Sequence, residues 1–206
     1  TAGNLISGNA STGIDILTDS VVQIVGNRVG TTADGSAALA NSGRGIWLRD
    51  SWAGGMIGGA DHDPWTCNRA CNLISGNTGY GLQIGTVNYL SHEIRGNFIG
   101  TNLAGNAALP NMGGIYIQTD ANVGGAGSGD GNLISGNIGH GVQAAGGLLS
   151  VQANRIGTTA TGMAALGNQG DGIRIGPNRA SIYIGGVGAG NVIAGNTGHG
   201  IQSIED

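Results

Sequence analysis

Three residues able to transfer protons occupy the same position in a short repeated phrase. His140, Asp171 and His199 each stand between two glycines, and Arg174 follows three residues after Asp171. If the phrases stack on one another, these side chains form one column, and imidazole and carboxylate groups in contact suit general acid and base catalysis. The column holds one carboxylate, whereas inverting glycoside hydrolysis uses two, roughly 6.5–9.5 Å apart. Catalysis by this cluster is therefore the alternative interpretation.

A second set of residues is suited to binding sugars. The position two residues after each turn glycine is occupied in successive repeats by Asp15, Trp47, Gln83, Tyr116, Gln143, Arg174 and Gln202. Aromatic rings stack on sugar faces, and carboxamides hydrogen-bond to hydroxyl groups. This alternation predicts a binding face for an extended polysaccharide, although scattered surface aromatics without a function are the simpler alternative. The predicted binding residues, including two from the position before the glycine, are Trp47, Tyr116, Gln83, Gln143, Tyr80 and Arg44.

The largest departure from the repeat is an insertion over residues 60–71. Asp61, His62 and Asp63 are potential metal ligands, but adjacent side chains rarely converge on one ion, so we expect no metal there. The only two cysteines, Cys67 and Cys71, fall in the same insertion. In a secreted protein we expect them to form a disulfide that closes the loop, and otherwise both are free thiols.

The elements that position these residues follow from the repeat. The phrase Asn-Leu-Ile-Ser-Gly-Asn and its weaker relatives recur seven times, each followed by two short stretches of alternating apolar and polar residues, typical of half-buried strands. This pattern predicts an all-β parallel β-helix with seven coils of three strands, forming a single domain over residues 1–206. The coils begin near residues 4, 27, 72, 97, 132, 154 and 191.

Coils of two lengths alternate, so the sequence predicts a two-coil repeat. The longer coils carry inserts at residues 31–40, 101–110 and 158–167. Because neighbouring inserts belong to coils two apart, we expect them to project from one corner with a spacing of about 10 Å.

Asparagine recurs at two positions in all seven coils. The first row is Asn4, Asn27, Asn72, Asn97, Asn132, Asn154 and Asn191, and the second is Asn9, Asn41, Asn77, Asn111, Asn137, Asn168 and Asn196. A carboxamide both donates and accepts hydrogen bonds, so stacked asparagines can bond along the solenoid axis. We predict two structural asparagine ladders.

The composition limits the partners. The chain has 206 residues, a net charge of −4 and eight basic residues, all arginine, with no basic stripe. This argues against nucleic acid as a partner, and no apolar run approaches the roughly 18 residues needed for membrane insertion. The strands at either end lack a polar capping repeat, so we expect either end-to-end self-association or flanking coils of a longer chain.

The phrases Asn-Leu-Ile-Ser-Gly-Asn, Gly-Ile-x-Ile and Gly-Asn-x-Ile-Gly-Thr, which together cover the entire chain, resemble the pectate-lyase-like superfamily. That resemblance implies a right-handed, single-stranded parallel β-helix from a large secreted or cell-surface bacterial protein. The superfamily includes polysaccharide lyases, glycoside hydrolases, epimerases, adhesins and inert stalks, so the fold alone does not assign an activity.

Two features bear on an enzymatic role within that superfamily. Gly198-His199-Gly200 and Gly139-His140-Gly141 resemble the Gly-His-Gly signature of polygalacturonase-type hydrolases, but the paired aspartates of that family are missing. A pectate-lyase-like site would need several acidic calcium ligands on one outward face, and Asp15 is the only carboxylate in the outward row, so we expect no cofactor. We predict an extracellular rigid domain that presents a polysaccharide-binding or adhesive face, with a polysaccharide lyase or glycoside hydrolase as the alternative.

Overall fold

The computed structural model describes residues 3–17, 20–49, 54–60, 65–85, 90–177 and 179–205. They form a right-handed parallel β-helix with three sheets in which every strand pairs in parallel with its equivalent one coil away. The first sheet contains β1 (Leu5–Ile6), β4 (Arg28–Val29), β7 (Leu73–Ile74), β10 (Phe98–Ile99), β13 (Leu133–Ile134), β16 (Arg155–Ile156) and β19 (Val192–Ile193). The predicted fold class is confirmed.

The second sheet has a strand in each of the seven coils, and the third sheet has a strand in each of the first six. The second contains β2 (Ile14–Ile16), β5 (Ile46–Leu48), β8 (Tyr80–Ile84), β11 (Gly113–Ile117), β14 (Val142–Ala144), β17 (Ile173–Ile175) and β20 (Ile201–Ser203). The third contains β3 (Val22–Ile24), β6 (Gly55–Gly58), β9 (His92–Arg95), β12 (Ala121–Gly124), β15 (Gly147–Gln152) and β18 (Arg179–Ile184).

Aliphatic stacks fill the interior of the solenoid. In the second sheet Ile46 pairs with Leu82, and Ile115 pairs with Val142, so equivalent inward side chains lie directly above one another. All four are completely buried. Burial of apolar surface contributes roughly 25 cal/mol per Å², which makes these stacks the main source of stability.

Both predicted asparagine ladders are present and run from the first coil to the seventh. Each asparagine Nδ2 donates to the Oδ1 of the asparagine one coil further on, at 2.8–3.1 Å. The interior members of both rows are buried. The ladders therefore satisfy polar groups at the two corners that flank the first sheet.

The inserts of the longer coils lie closer together than the sequence predicts. The sequence predicts projections about 10 Å apart, but neighbouring inserts hydrogen-bond directly, with the Leu103 N–H donating to the Gly35 carbonyl at 3.0 Å and the Ala160 N–H donating to the Gly105 carbonyl at 2.8 Å. The inserts lie over the outer face of the first sheet because apolar side chains there need cover.

That cover creates a second apolar cluster outside the solenoid, which the repeat pattern did not predict. Leu73, Phe98 and Leu133 point outward from the first sheet but are buried, together with Cys71 and Ala160. Trp65, Cys67 and Leu103 pack against them. The insertion and the inserts thus form a lid over the middle of the first sheet.

His92 is an exception to the apolar interior. Its imidazole is 1 % exposed, its register partner in β12 is Ala121, and its Nδ1 has no hydrogen-bond partner. On the other side, a Cβ at Gly55 would lie 3.3 Å from this Nδ1. Small neighbours therefore leave room for the ring, and burial lowers the pKa of His92 below its ordinary value of 6.5.

This burial predicts a pH effect on stability. As the pH falls below 6.5, the unfolded chain binds a proton at His92 that the folded chain excludes, so stability is lost with decreasing pH until the folded-state pKa is reached. One such group contributes at most about 1.4 kcal/mol per pH unit. The variant His92→Leu should equal or exceed the parent in free energy of unfolding at pH 8 and lose less of it by pH 5. If urea unfolding shows that the parent and His92→Leu lose the same free energy of unfolding between pH 8 and pH 5, the assignment is wrong.

Candidate functional site

The outer face of the second sheet aligns the residues predicted to bind sugars. The register pairs Asp15 with Trp47, Trp47 with Gln83, and Gln83 with Tyr116. Gln143, Arg174 and Gln202 continue the row. At about 4.8 Å per strand, this row extends for about 29 Å along the solenoid.

Trp47 lies between two guanidinium groups at the start of the row. The Cζ atoms of Arg44 and Arg49 are each 4.0 Å from the centre of its ring. Arg49 forms a bidentate ion pair with Asp15 of the first coil, at 2.7 and 2.6 Å, whereas Arg44 bonds to Gln83 of the third coil, so the two cations cover opposite faces. In this arrangement a sugar therefore cannot stack on either face of Trp47. What the site offers a ligand here is the ring edge and guanidinium N–H groups.

Two tyrosines continue the row. The rings of Tyr80 and Tyr116 stack with centroids 5.2 Å apart, and the Tyr80 hydroxyl donates to Gln143 Oε1 at 2.9 Å, passing over one intervening coil. Burial and the neighbouring Tyr116 raise the pKa of Tyr80 above 10.0, so its hydroxyl remains a donor at neutral pH. Side chains from five coils thus form one connected polar and aromatic surface.

The structure also brings the predicted acid–base column together. Asp171 Oδ1 accepts the backbone N–H of His199 at 2.8 Å and lies 3.3 Å from His199 Nδ1. Asp171 Oδ2 lies 3.2 Å from His140 Nδ1 and 3.4 Å from Arg174 Nη1. Arg174 in turn donates to Gln202 Oε1 at 3.0 Å, which joins this cluster to the row.

Protonation states within the cluster follow from its contacts. Burial of Asp171 opposes ionisation, but hydrogen bonds from His199, the charge of His140 and the bond from Arg174 hold the pKa of Asp171 below 3.8. Burial, opposed by Asp171 and assisted by Arg174, lowers the pKa of His140 below 6.5. His140 is then neutral at pH 7, and its Nδ1 accepts the Asp171 N–H at 2.9 Å. His140 acts here as an acceptor that positions Asp171.

His199 is the accessible member of the cluster. Its side chain is 67 % exposed, whereas that of Asp171 is 6 % exposed. A carboxylate beside Nδ1 favours the tautomer with the proton on that nitrogen and leaves Nε2 as a base, which is the logic of an aspartate–histidine pair. The second carboxylate required for inverting hydrolysis is absent from the described contacts of this cluster.

The insertion is fixed at two points. Cys67 and Cys71 form a disulfide with a Cα–Cα distance of 5.1 Å. Trp65 lies under the guanidinium of Arg155 from the sixth coil, at 3.8 Å, so the loop reaches along the first sheet rather than toward the row on the second. Asp61, His62 and Asp63 lie outside the described residues. Within the described ranges, no three His, Cys, Asp or Glu side chains are grouped to hold a metal.

A charged network on the third sheet was not predicted from the sequence. Arg95 Nη2 contacts Glu93 Oε2 at 2.6 Å and Arg95 Nη1 contacts Asp130 Oδ2 at 3.4 Å, while Asn122 donates to Glu93 Oε1 at 2.7 Å. The alternation of Glu93 and Arg95 about the inward Ile94 was the available signal. Because both carboxylates are ion-paired with Arg95, this network is suited to fixing a turn rather than to acid catalysis.

Comparison of the chain with protein-family models, with curated proteins and with solved structures finds no match in any of the three. The class that the geometry defines is a parallel β-helix with asparagine ladders and with polar and aromatic side chains on the outer face of its second sheet. Over the part of the chain that is described, no helix has the length and apolar character needed to cross a membrane.

Proposed function

We propose that this chain is a rigid extracellular β-helix domain whose second sheet binds an extended polysaccharide along the solenoid axis. The observation that carries the proposal is the connected outward row from Asp15 to Gln143. It presents guanidinium, carboxamide and phenol groups on a flat parallel sheet. The strand spacing of about 4.8 Å is comparable with the length of one pyranose unit, so successive sugars can meet successive coils.

Recognition in this proposal rests on hydrogen bonds more than on ring stacking. Arg44 and Arg49 cover Trp47, and Tyr80 covers one face of Tyr116, so sugars contact ring edges and the polar groups between them. Most of these polar groups already bond to one another, and a sugar hydroxyl must share or displace those bonds. Because net gains per hydrogen bond are about 1 kcal/mol, affinity per sugar is low and grows with chain length.

Membership of the pectate-lyase-like superfamily and a bacterial cell-surface location belong to the same proposal. The repeated sequence phrases support membership of that superfamily. The disulfide supports an oxidising compartment, since disulfides are rare in proteins of the cytosol.

Affinity electrophoresis against a panel of neutral and uronate polysaccharides tests the binding face. We expect at least one polysaccharide to retard the parent protein. The double variant Gln83→Ala and Gln143→Ala should weaken this retardation about tenfold. Because Gln83 is only 8 % exposed and accepts a bond from Arg44, thermal unfolding of the variant is measured in parallel to establish that it is folded. Gln23→Ala, an exposed glutamine on the third sheet, is the matched control and should bind as the parent does. Equal retardation of all three proteins, or none of the parent by any polysaccharide, would reject the proposal.

The second candidate function is polysaccharide cleavage as a lyase or glycoside hydrolase. It is favoured by one observation, the contact between buried Asp171 and exposed His199, with Arg174 beside them. The same panel, assayed for new reducing ends and unsaturated uronate products, separates the two functions. Products lost in both Asp171→Asn and His199→Gln would establish cleavage at this cluster, and retardation without products would leave binding alone.

A further inference from the structure

A groove of about 400 Å³ lies on the outer face of the first sheet, away from the proposed polysaccharide face. Its walls come from the first two coils, the disulfide loop and the inserts of the second and fourth coils. Volumes of this size are typical of sites for small molecules. Its described lining residues include Arg28 and Arg69 and none that is acidic.

Arg28 differs from its equivalent four coils away. Arg155 occupies the same position of the repeat, and its guanidinium stacks on Trp65 and bonds to the Ala160 carbonyl. The Arg28 guanidinium has no hydrogen-bond or ion-pair partner among the described residues, although Ala33, the equivalent of Ala160, also lines the groove. Arg155 therefore stabilises the fold through its contacts, whereas Arg28, at the equivalent position, lines the groove.

Arg69, from the disulfide loop, also lines the groove. The Cys67–Cys71 disulfide closes its loop, and the Gly26 N–H donates to the Ala70 carbonyl at 3.3 Å, which attaches the loop to the solenoid. Arg69 itself has a φ of 46° and an exposed side chain with no ion-pair partner in the described part of the chain. Two unpaired cations in one concavity raise the local potential for an anion, even though the net charge of the chain is negative.

The floor of the groove is apolar. Leu5 is 47 % exposed there, and it is joined in the lining by Leu73, which is 1 % exposed, and by Leu103 of the fourth-coil insert. The outward row of the first sheet changes from buried Leu73, Phe98 and Leu133 in the third to fifth coils to Leu5 and Arg28 in the first two. The groove is the part of this face that the lid leaves uncovered.

We propose that this groove binds a small organic anion, with a carboxylate or phosphate group held by Arg28 and Arg69 and a short apolar body resting on Leu5, Leu73 and Leu103. Guanidinium groups pair with both oxyanions through parallel N–H bonds. An apolar body contributes about fourfold in affinity for each buried methylene. The proposal is independent of polysaccharide binding on the second sheet.

Titration of the ¹⁵N-labelled protein, followed through the arginine Nε–H signals, tests the site with four probes. These are acetate, hexanoate, inorganic phosphate and the neutral hexanamide. We expect hexanoate to shift the Arg28 and Arg69 signals and to bind at least tenfold more tightly than acetate. Hexanamide should shift neither signal. The ratio of acetate to inorganic phosphate affinity identifies the preferred head group.

Matched variants separate the two parts of the groove. Arg28→Gln and Arg69→Gln should each weaken hexanoate binding about tenfold, whereas Arg95→Gln, on the third sheet, should leave it unchanged. Leu5→Ala should reduce the preference for hexanoate over acetate without altering acetate binding. Unaltered hexanoate binding in both groove arginine variants, or equal binding of hexanamide, overturns the proposal. Melting temperatures near that of the parent establish that the variants are folded.

Discussion

Replacing Asn132 with alanine is expected to lower the free energy of unfolding by about 3 kcal/mol. Its Oδ1 accepts both the N–H and the Nδ2 of Asn97 at 3.0 Å, and its Nδ2 donates to Asn154 Oδ1 at 2.9 Å and to the Ile94 carbonyl at 2.7 Å. All of these atoms are in buried bonds. Alanine removes four hydrogen bonds and leaves their partners without water. For a chain of this size, the melting temperature should fall by about 6–12 °C.

Asn4 offers a matched control for this prediction. It belongs to the same ladder, but it is exposed at the end and makes one ladder bond, to Asn27 Oδ1 at 2.9 Å. Asn4→Ala should change the melting temperature by no more than about a third of the effect of Asn132→Ala. Similar losses from the two substitutions, measured by circular dichroism, would show that the ladder bonds are not what stabilises these corners.

The fold could be predicted because its determinants repeat at fixed positions. Seven asparagines at each ladder position, and an aliphatic pair such as Ile115 and Ile117 in the second strand of six coils, leave one register that buries the apolar set and satisfies the amides. A register slip of one residue would place Tyr116 in the interior. Periodicity therefore specifies the backbone almost completely.

The second apolar cluster could not be obtained from periodicity in the same way. Leu73, Phe98 and Leu133 fall in an outward position, and only their apolar character signals that something must cover them. The cover comes from inserts and from a loop whose course depends on the disulfide and on the contact between Trp65 and Arg155. The disulfide was expected from the sequence, but the contact between Trp65 and Arg155 joins residues far apart in the chain, which a repeat does not encode.

The same limit applies to the candidate sites. The sequence places His140, Asp171 and His199 in one column, because their position in the repeat is fixed. It does not reveal that Arg44 and Arg49 enclose Trp47, since side-chain rotamers decide that contact. Nor does it distinguish Arg28 from Arg155, whose local phrases are nearly identical and whose surroundings differ. The candidate sites of this solenoid therefore depend on such departures from the repeat.

Replacing Gly100 with alanine is expected to lower the free energy of unfolding by more than about 4 kcal/mol, although it adds only one methyl group. Gly100 is buried at the corner after β10 with a φ of 90°, and it occurs in the same phrase as Gly30 and Gly157, which have φ values of 87°. A Cβ at this position would overlap Asn137 Oδ1 and the Ser135 carbonyl oxygen. The substitution combines an unfavourable backbone conformation with a steric conflict against the second asparagine ladder.

Two other glycines allow these contributions to be separated. Gly188 has a φ of 69° with nothing within 4 Å of an added Cβ, so Gly188→Ala isolates the backbone contribution, about 1 kcal/mol. At Gly190 an added Cβ also meets nothing within 4 Å and φ lies outside the left-handed region, so Gly190→Ala should be neutral or slightly stabilising. We expect melting temperatures in the order Gly190→Ala, Gly188→Ala, Gly100→Ala, with the last more than about 10 °C below the second or insoluble. If Gly100→Ala and Gly188→Ala instead have the same melting temperature, the corner relaxes around the added methyl group. The second asparagine ladder would then be less rigid than its hydrogen bonds indicate.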